Sequence, residues 1–273
     1  MSNDRYLRTE GAVLRYRDEG TGPAVVLIHG WALDLQMWDP QSDALRQQLR
    51  LIRFDRRGYG LSSGSPGLDH DVTDTLALCR HLRVQPLGCV GMSQGARVVL
   101  RLARCEPAFM ERFVLDGPPE LLTAAAPASS NLDYAGLRNL ARSAGLEAFR
   151  REWSRHPLMT LETGEPARQQ LLQQMIARYP GTDLLADSGP HSAGTPDGFD
   201  VPSITQRALV LNGALDTAAR LRAGEWLART LPHCERQIVP ASRHLANLDN
   251  PAAYNSLLLR FFLPTSRRHR SLI

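Results

Sequence analysis

Ser93 stands at the centre of Gly91-Met92-Ser93-Gln94-Gly95, a complete G-x-S-x-G, between the apolar run Leu87 to Val90 and the helix-like stretch Ala96 to Cys105. Strand, serine and helix in that order hold a hydroxyl on a sharp, strained turn, and glycines flank it because side chains there would collide with neighbouring elements. The helix also turns its first amides toward the hydroxyl, so the Gln94 N–H can face an oxygen that becomes negative during reaction. The chemistry open to such a serine is attack on a carbonyl carbon.

A hydroxyl is a weak nucleophile until a base takes its proton, and the base works best when a carboxylate fixes its tautomer. Of the eight histidines, His29 and His244 sit just past an expected strand. His29 precedes the serine and adjoins the turn His29-Gly30-Trp31. The Trp31 N–H is a second candidate oxyanion donor there, although a plain loop with a packed histidine and tryptophan reads the same way. His244 is the better base. Among acids at strand ends, Asp216 is favoured over Asp116 because it follows a strand, a glycine and a short loop and keeps the chain order serine, acid, histidine. Asp55 lies in Asp55-Arg56-Arg57-Gly58-Tyr59-Gly60-Leu61-Ser62 and is expected to pair with Arg56 or Arg57 in a structural turn. Arg97, one helical turn beyond Ser93, either holds a substrate carboxylate bidentately or joins Arg101 and Arg104 on a solvated face.

The elements that must position these groups alternate. A short continuous apolar run, typical of a strand buried on both faces of a parallel sheet, occurs at Ala24 to Ile28, and further strands are expected at Leu51 to Phe54, Leu87 to Val90, Arg112 to Asp116, Ala208 to Asn212 and Glu235 to Val239. Ala12 to Arg17 reads as an edge or hairpin strand. Helical spacing covers Met37 to Leu49, His70 to Leu82, Ala218 to Leu231 and Tyr254 to Phe262. This is the pattern of a doubly wound α/β sheet. Between about 121 and 202 the pattern changes: Ala124 to Ser130 looks like a linker, Leu132 to Trp153 and Arg168 to Tyr179 look helical, and Ser188 to Gly198 is rich in Gly, Pro and Ser. The expected organisation is a core of residues 1–120 and 203–273 with a helical cap, residues 121–202, inserted after the sixth core strand. Such a lid excludes water and shapes a pocket, and Trp153, His156, Leu158 and Met159 are its candidate contacts, apolar packing of the lid on itself being the plainer alternative.

The 273 residues, 43% of them hydrophobic, suffice for a sizeable core. The formal charge of +4, from 32 basic and 28 acidic residues, owes much to Arg267-Arg268-His269-Arg270, which reads as a short solvated end rather than a nucleic-acid site. Cys79, Cys89, Cys105 and Cys234 show no C-x-x-C or metal spacing and are expected to be buried free thiols. No apolar stretch reaches membrane-spanning length and the first residues carry no apolar leader, so a soluble, cytoplasmic protein is expected. No glycine-rich phosphate loop, nicotinamide fingerprint or metal cluster is legible, so no cofactor is expected.

His29-Gly30-Trp31, the Asp55 to Ser62 loop, Gly91 to Gly95, Gly213 to Asp216, and His244-Leu245-Ala246-Asn247-Leu248-Asp249-Asn250-Pro251 together resemble the α/β-hydrolase superfamily from about residue 10 to residue 263. Met37-Trp38-Asp39-Pro40-Gln41 and the His244 segment are similar to 3-oxoadipate enol-lactonases and related small-molecule esterases and lactonases. The resemblance implies an α/β-hydrolase fold, a Ser93-Asp216-His244 triad, Trp31 and Gln94 as oxyanion donors, and hydrolysis of a small carboxylic ester or lactone. Two departures are Arg243, where relatives often carry glycine, and Ala96, where a second glycine is common. Gly95-Ala96-Arg97 is similar to the elbow of the menaquinone-pathway SHCHC synthases, which implies an alternative: elimination by the same triad, with Arg97 on a substrate carboxylate. Trp31, Arg97, Trp153 and His156 are the candidate substrate contacts. A catalytically silent receptor or scaffold is the third reading. The partner expected is a small molecule, with no nucleic acid and no membrane, and self-association is left open.

Overall fold

The computed structural model describes residues 3–120, 132–186 and 201–263, so the expected linker at Ala124 to Ser130, the stretch Ser188 to Gly198 and the basic segment Arg267 to Arg270 lie outside the described residues. Eight strands form one sheet: β1 (Arg5–Thr9), β2 (Ala12–Glu19), β3 (Ala24–Ile28), β4 (Arg50–Phe54), β5 (Gly88–Met92), β6 (Arg112–Asp116), β7 (Arg207–Gly213) and β8 (Cys234–Val239). Their order is β1-β2-β4-β3-β5-β6-β7-β8. The hairpin β1/β2 joins β4 antiparallel, and every pair from β4 to β8 is parallel.

Between the strands run α1 (Asp39–Leu45), α2 (Leu68–His81) and α3 (Gln94–Cys105). After β6 come α4 (Tyr134–Ala144), α5 (Leu146–Trp153), α6 (Pro166–Arg178) and α7 (Thr182–Leu185), and then β7, α8 (Ala218–Thr230), β8, α9 (Ala246–Asp249) and α10 (Pro251–Phe262). The expected helix Met37 to Leu49 is shorter: a 3-10 turn over Leu35–Trp38 leads into α1, whose Pro40 sits in the first turn where its missing N–H costs nothing. The long helical stretch expected from Leu132 to Trp153 breaks at Gly145, which takes φ +86 between α4 and α5.

The sheet explains the runs without alternation. Val26, Ile28, Cys89, Phe113, Leu115 and Val210 pack against residues of α2, α3 and α8 on one face. Their neighbours Val25, Leu27, Val90, Met92, Val114 and Leu211 face the other way, into a cluster that includes Leu45 of α1, Leu257 and Phe261 of α10, and Phe149, Trp153, Leu172 and Ile176 from the helices between β6 and β7. Strands covered on both faces need apolar residues at every position, each worth about 1.5–3 kcal/mol on burial. Of the four cysteines, all free, Cys79 and Cys89 are buried as expected, whereas Cys105 is exposed at the end of α3. Among the described residues no helix is long and apolar enough to cross a membrane.

Candidate active site

The carboxyl ends of β3, β5, β6, β7 and β8 converge, and the predicted groups sit there. Ser93 follows β5 with φ +51 and ψ −113, a conformation costly for a residue with a side chain, and α3 starts at the next residue. Two backbone contacts hold it: Ser93 N–H donates to Asp116 O at 2.7 Å, and Ala96 N–H donates to Ser93 O at 2.9 Å. A Cβ on Gly91 would come 2.3 Å from Gly95 O, and one on Gly95 would come 2.4 Å from Ile28 O. Both clashes are with backbone, so the glycines are what lets strand and helix close on the serine.

His244 lies in the loop between β8 and α9 and is 1% exposed. Its Nδ1 is 3.1 Å from Oδ1 and from Oδ2 of Asp216, which follows β7. Burial disfavours the Asp216 carboxylate, but the charge and hydrogen bond of His244 and the Thr217 N–H, which donates at 2.7 Å, outweigh it and hold its pKa below the ordinary value. Asp116, the competing acid, is buried at the end of β6 and accepts instead from Tyr254 Oη at 3.1 Å. Burial lifts its pKa well above the carboxylate range, and the field of Asp216 adds to the rise. Geometry thus gives the histidine to Asp216. The neighbouring Gly117 makes the room: a Cβ there would meet His244 Cε1 at 2.8 Å.

His29 is not a second base. It is fully buried, its Nε2 accepts from Arg56 N–H at 2.9 Å, and its Nδ1 is 2.8 Å from Gly30 O. That pair of contacts assigns the proton to Nδ1, and burial with the nearby Arg56 charge keeps the ring neutral by pushing its pKa well down. Its role is to shape the turn that carries Trp31. The Trp31 N–H donates to no group among the described residues. Its indole Nε1–H donates to Asp183 in α7 at 2.7 Å, and its ring packs against Trp153 at 4.7 Å and Phe149 at 5.7 Å. Tyr179 Oη also donates to Asp183, tying the turn to the helices above it.

A small cavity is lined by Ser93 and His244 together with Trp31, Leu33, Met92, Leu132, Trp153, Leu158, Met159 and Arg220. The candidate contacts Trp31, Trp153, Leu158 and Met159 thus all line the cavity that Ser93 and His244 share. Among the described residues Ser93 Oγ takes part in no hydrogen bond, a looseness usual before substrate tightens such a site. His156 stands outside the lining: it stacks behind Trp153 at 4.8 Å, and its Nδ1 accepts from Leu158 N–H at 3.2 Å, capping the turn Pro157–Met159. Arg97 is 8% exposed, so it leaves the solvated-face pattern, while Arg104 is exposed and Arg101 bonds to Asp69. It does not line the cavity.

A further expectation is corrected. Asp55 pairs not with its neighbours but with Arg15 of β2 at 3.1 Å, and it accepts from the N–H groups of Leu35 and Leu61 at 2.8 Å each. Arg56 and Arg57 reach α2 instead, to Asp71 at 2.6 Å and Asp74 at 2.6 Å. Residues the sequence reading missed are Leu33, Met92, Leu132 and Arg220 in the lining, and Asp249. The Asp249 Oδ2 accepts from Arg243 N–H at 2.7 Å, and its Oδ1 accepts from Glu162 N–H at 2.7 Å and Thr163 N–H at 3.0 Å. Arg243 forms an ion pair with Glu162 at 2.9 Å across the same junction. Among the described residues no group of three or more His, Cys, Asp or Glu could hold a metal ion.

A family model for the alpha/beta hydrolase fold matches residues 23–251. The chain is 26% identical over 267 residues to a pimeloyl-[acyl-carrier protein] methyl ester esterase of Nitrosospira multiformis, covering 89% of this chain and 95% of the relative. Among solved structures it is similar to an enol-lactonase from Burkholderia xenovorans, with TM-score 0.79 and 23% identity over 94% of this chain and 99% of that one. It is equally similar to a bromoperoxidase from Bacillus anthracis, with TM-score 0.79 and 24% identity over 95% and 99%.

Proposed function

The chain belongs to the alpha/beta hydrolase fold family, and from that premise we propose that it is a cofactor-independent serine hydrolase of a small carboxylic ester or lactone. The observation that carries this reading is the imidazole of His244, held through Nδ1 by both oxygens of Asp216 at 3.1 Å and sharing one cavity wall with a serine on a strained elbow. With Asp216 fixing the proton on Nδ1, Nε2 of His244 is the basic nitrogen and takes the Ser93 proton as Oγ attacks the carbonyl carbon. The N–H groups of Trp31 and Gln94 meet the resulting oxyanion, and the imidazolium returns its proton to the leaving oxygen. Water activated by the same histidine then releases the acid and frees Ser93. The helices between β6 and β7 act as the cap that keeps bulk water from the acyl-enzyme. The family membership and the esterase relative support the ester chemistry; the acyl-enzyme is the step to test.

A fluorophosphonate probe should label Ser93, found by mass spectrometry of the modified peptide, and an ester and lactone panel should find turnover. Ser93→Ala should lower that turnover by on the order of 10³ or more while the protein stays folded. Ester turnover that survives Ser93→Ala removes the reading. Turnover of an anionic substrate by elimination, without a trapped adduct, assigns the triad to a lyase; a chain that neither reacts with the probe nor turns over any substrate is a scaffold.

A further inference from the structure

Arg220 was invisible as a functional residue in the sequence, yet it sits in the first turn of α8, four residues beyond Asp216, and its side chain lines the cavity shared by Ser93 and His244. Its guanidinium donates no hydrogen bond and joins no ion pair among the described residues. This sets it apart from Arg15, Arg53, Arg56, Arg57 and Arg178, each of which is tied to a carboxylate. The acids within its field are committed elsewhere: Asp216 to His244 and the Thr217 N–H, Glu120 to Arg222 at 3.4 Å. Arg97 adds a second positive charge nearby. Burial and that like charge draw the Arg220 pKa down to about 10 against the pull of Asp216 and Glu120, so it remains a cation at neutral pH.

The rest of the lining is largely apolar, with Trp31, Leu33, Met92, Trp153, Leu158 and Met159 around it. A half-buried cation whose five donors meet no acceptor among the described residues is open to pairing with an anion that arrives from outside. We propose that Arg220 anchors a carboxylate carried by the substrate, so that the ester or lactone hydrolysed at Ser93 is itself an acid. The guanidinium fork fits a carboxylate bidentately, and the apolar walls strengthen the pair by excluding water. There is a catalytic consequence. His244 becomes a cation as Ser93 attacks, and an uncompensated Arg220 opposes that charge, whereas a bound carboxylate cancels the opposition. The anion should therefore raise kcat as well as lower KM. The inference rests on the hydrolase reading, and its test separates the two.

Two matched pairs of esters probe the two sides of the scissile bond: monomethyl against dimethyl glutarate, and 3-acetoxypropanoate against 3-acetoxypropanamide. In at least one pair the wild-type kcat/KM should favour the anion by about 30-fold, the size of a charge-assisted hydrogen-bonded pair. Arg220→Gln should collapse that ratio toward one, and Arg220→Lys, which keeps the charge and loses the fork, should fall between. Preference for the uncharged member in both pairs, or a ratio unchanged in Arg220→Gln, overturns the proposal. A second arm needs no turnover: glutarate binding to Ser93→Ala, measured by calorimetry, should weaken at least tenfold when Arg220→Gln is added, and equal affinities overturn the anion site. If wild type hydrolyses none of the four esters and the fluorophosphonate leaves Ser93 unlabelled, the hydrolase reading fails while this binding comparison still decides for or against Arg220.

Discussion

Asp116 and Asp216 are both buried acids at the carboxyl end of the sheet, and what separates them is the partner each faces. Tyr254 offers Asp116 one hydrogen bond at 3.1 Å, too little to offset burial, so the pKa of that carboxyl lies well above its ordinary value. Asp216 faces an imidazole that can carry positive charge and keeps its own negative charge. Asp216→Asn should therefore cut kcat by on the order of 10⁴, since the amide favours the wrong histidine tautomer. Asp116→Asn, nearly isosteric with a protonated acid, should cost far less, and steady-state kinetics giving the reverse ranking would hand the role to Asp116. A third buried acid predicts a pH effect on stability. Burial and the neighbouring Asp34 lift Asp55 to about 6, against the opposing pull of Arg15 and the Leu35 and Leu61 N–H groups. Its folded pKa is above the ordinary 3.8, so the folded state binds this proton more tightly. The stability so gained is full below that ordinary value and is lost as pH rises through about 6. Urea midpoints at about pH 4 and pH 7 should show Asp55→Asn gaining on wild type as pH rises. A wild type that gains on Asp55→Asn over that range would contradict the shift.

At the scale of elements, the loop that carries His244 is held from outside the sheet. Asp249 ends α9 and spends one oxygen on Arg243 N–H and the other on the N–H groups of Glu162 and Thr163, which precede α6. A single carboxylate thus fixes the backbone next to the imidazole and one foot of the helices above it. Asp249→Ala should lower stability by about 2–3 kcal/mol in chemical denaturation, because three partly buried N–H groups lose a charged acceptor. It should also lower kcat by about 10²-fold through misplacement of His244; unchanged kcat with the stability lost would make Asp249 a purely structural clip. This link could not be read from the chain, because residues 162 and 249 meet only after folding. Strands β3 to β8 and the elbow were legible because each is a local pattern, a short strand-forming run, closed by a glycine within two residues at β3, β6 and β7. Charged partners were not. Arg56 and Arg57 stand beside Asp55, yet Arg15 takes it because β2 and β4 are neighbours in the sheet, a fact of strand order that no residue adjacency encodes. Arg220 reads as an ordinary helix charge for the same reason, until the turn after β7 swings its helix over the cleft.

For the molecule as a whole, the sheet and the helices between β6 and β7 share one apolar cluster rather than meeting at a wet seam. Trp31 from the turn after β3 is packed among Tyr134, Phe149, Trp153 and Tyr179, and Arg178 of α6 bonds to Asp34 at 2.8 Å. An opening of these helices would have to expose that cluster, so the cavity's size is set by packing that also stabilises the fold. Trp153 is where the two meet: it is 1% exposed, stands 4.7 Å from Trp31, and forms part of the cavity wall. Trp153→Ala should lower stability by about 3–5 kcal/mol in urea unfolding, with Trp153→Phe recovering much of it. If the space vacated stays open, it adds to the cavity beside Ser93, and the chain-length optimum should move with it. With p-nitrophenyl esters from acetate to octanoate, wild type should favour the short members, because Trp31, Trp153, Leu158 and Met159 close in on the serine. In Trp153→Ala the optimum should lie longer by about two carbons, the added length that an indole-sized void accepts. An optimum that stays put while stability falls would mean that the acyl chain runs elsewhere and that Trp153 serves packing alone.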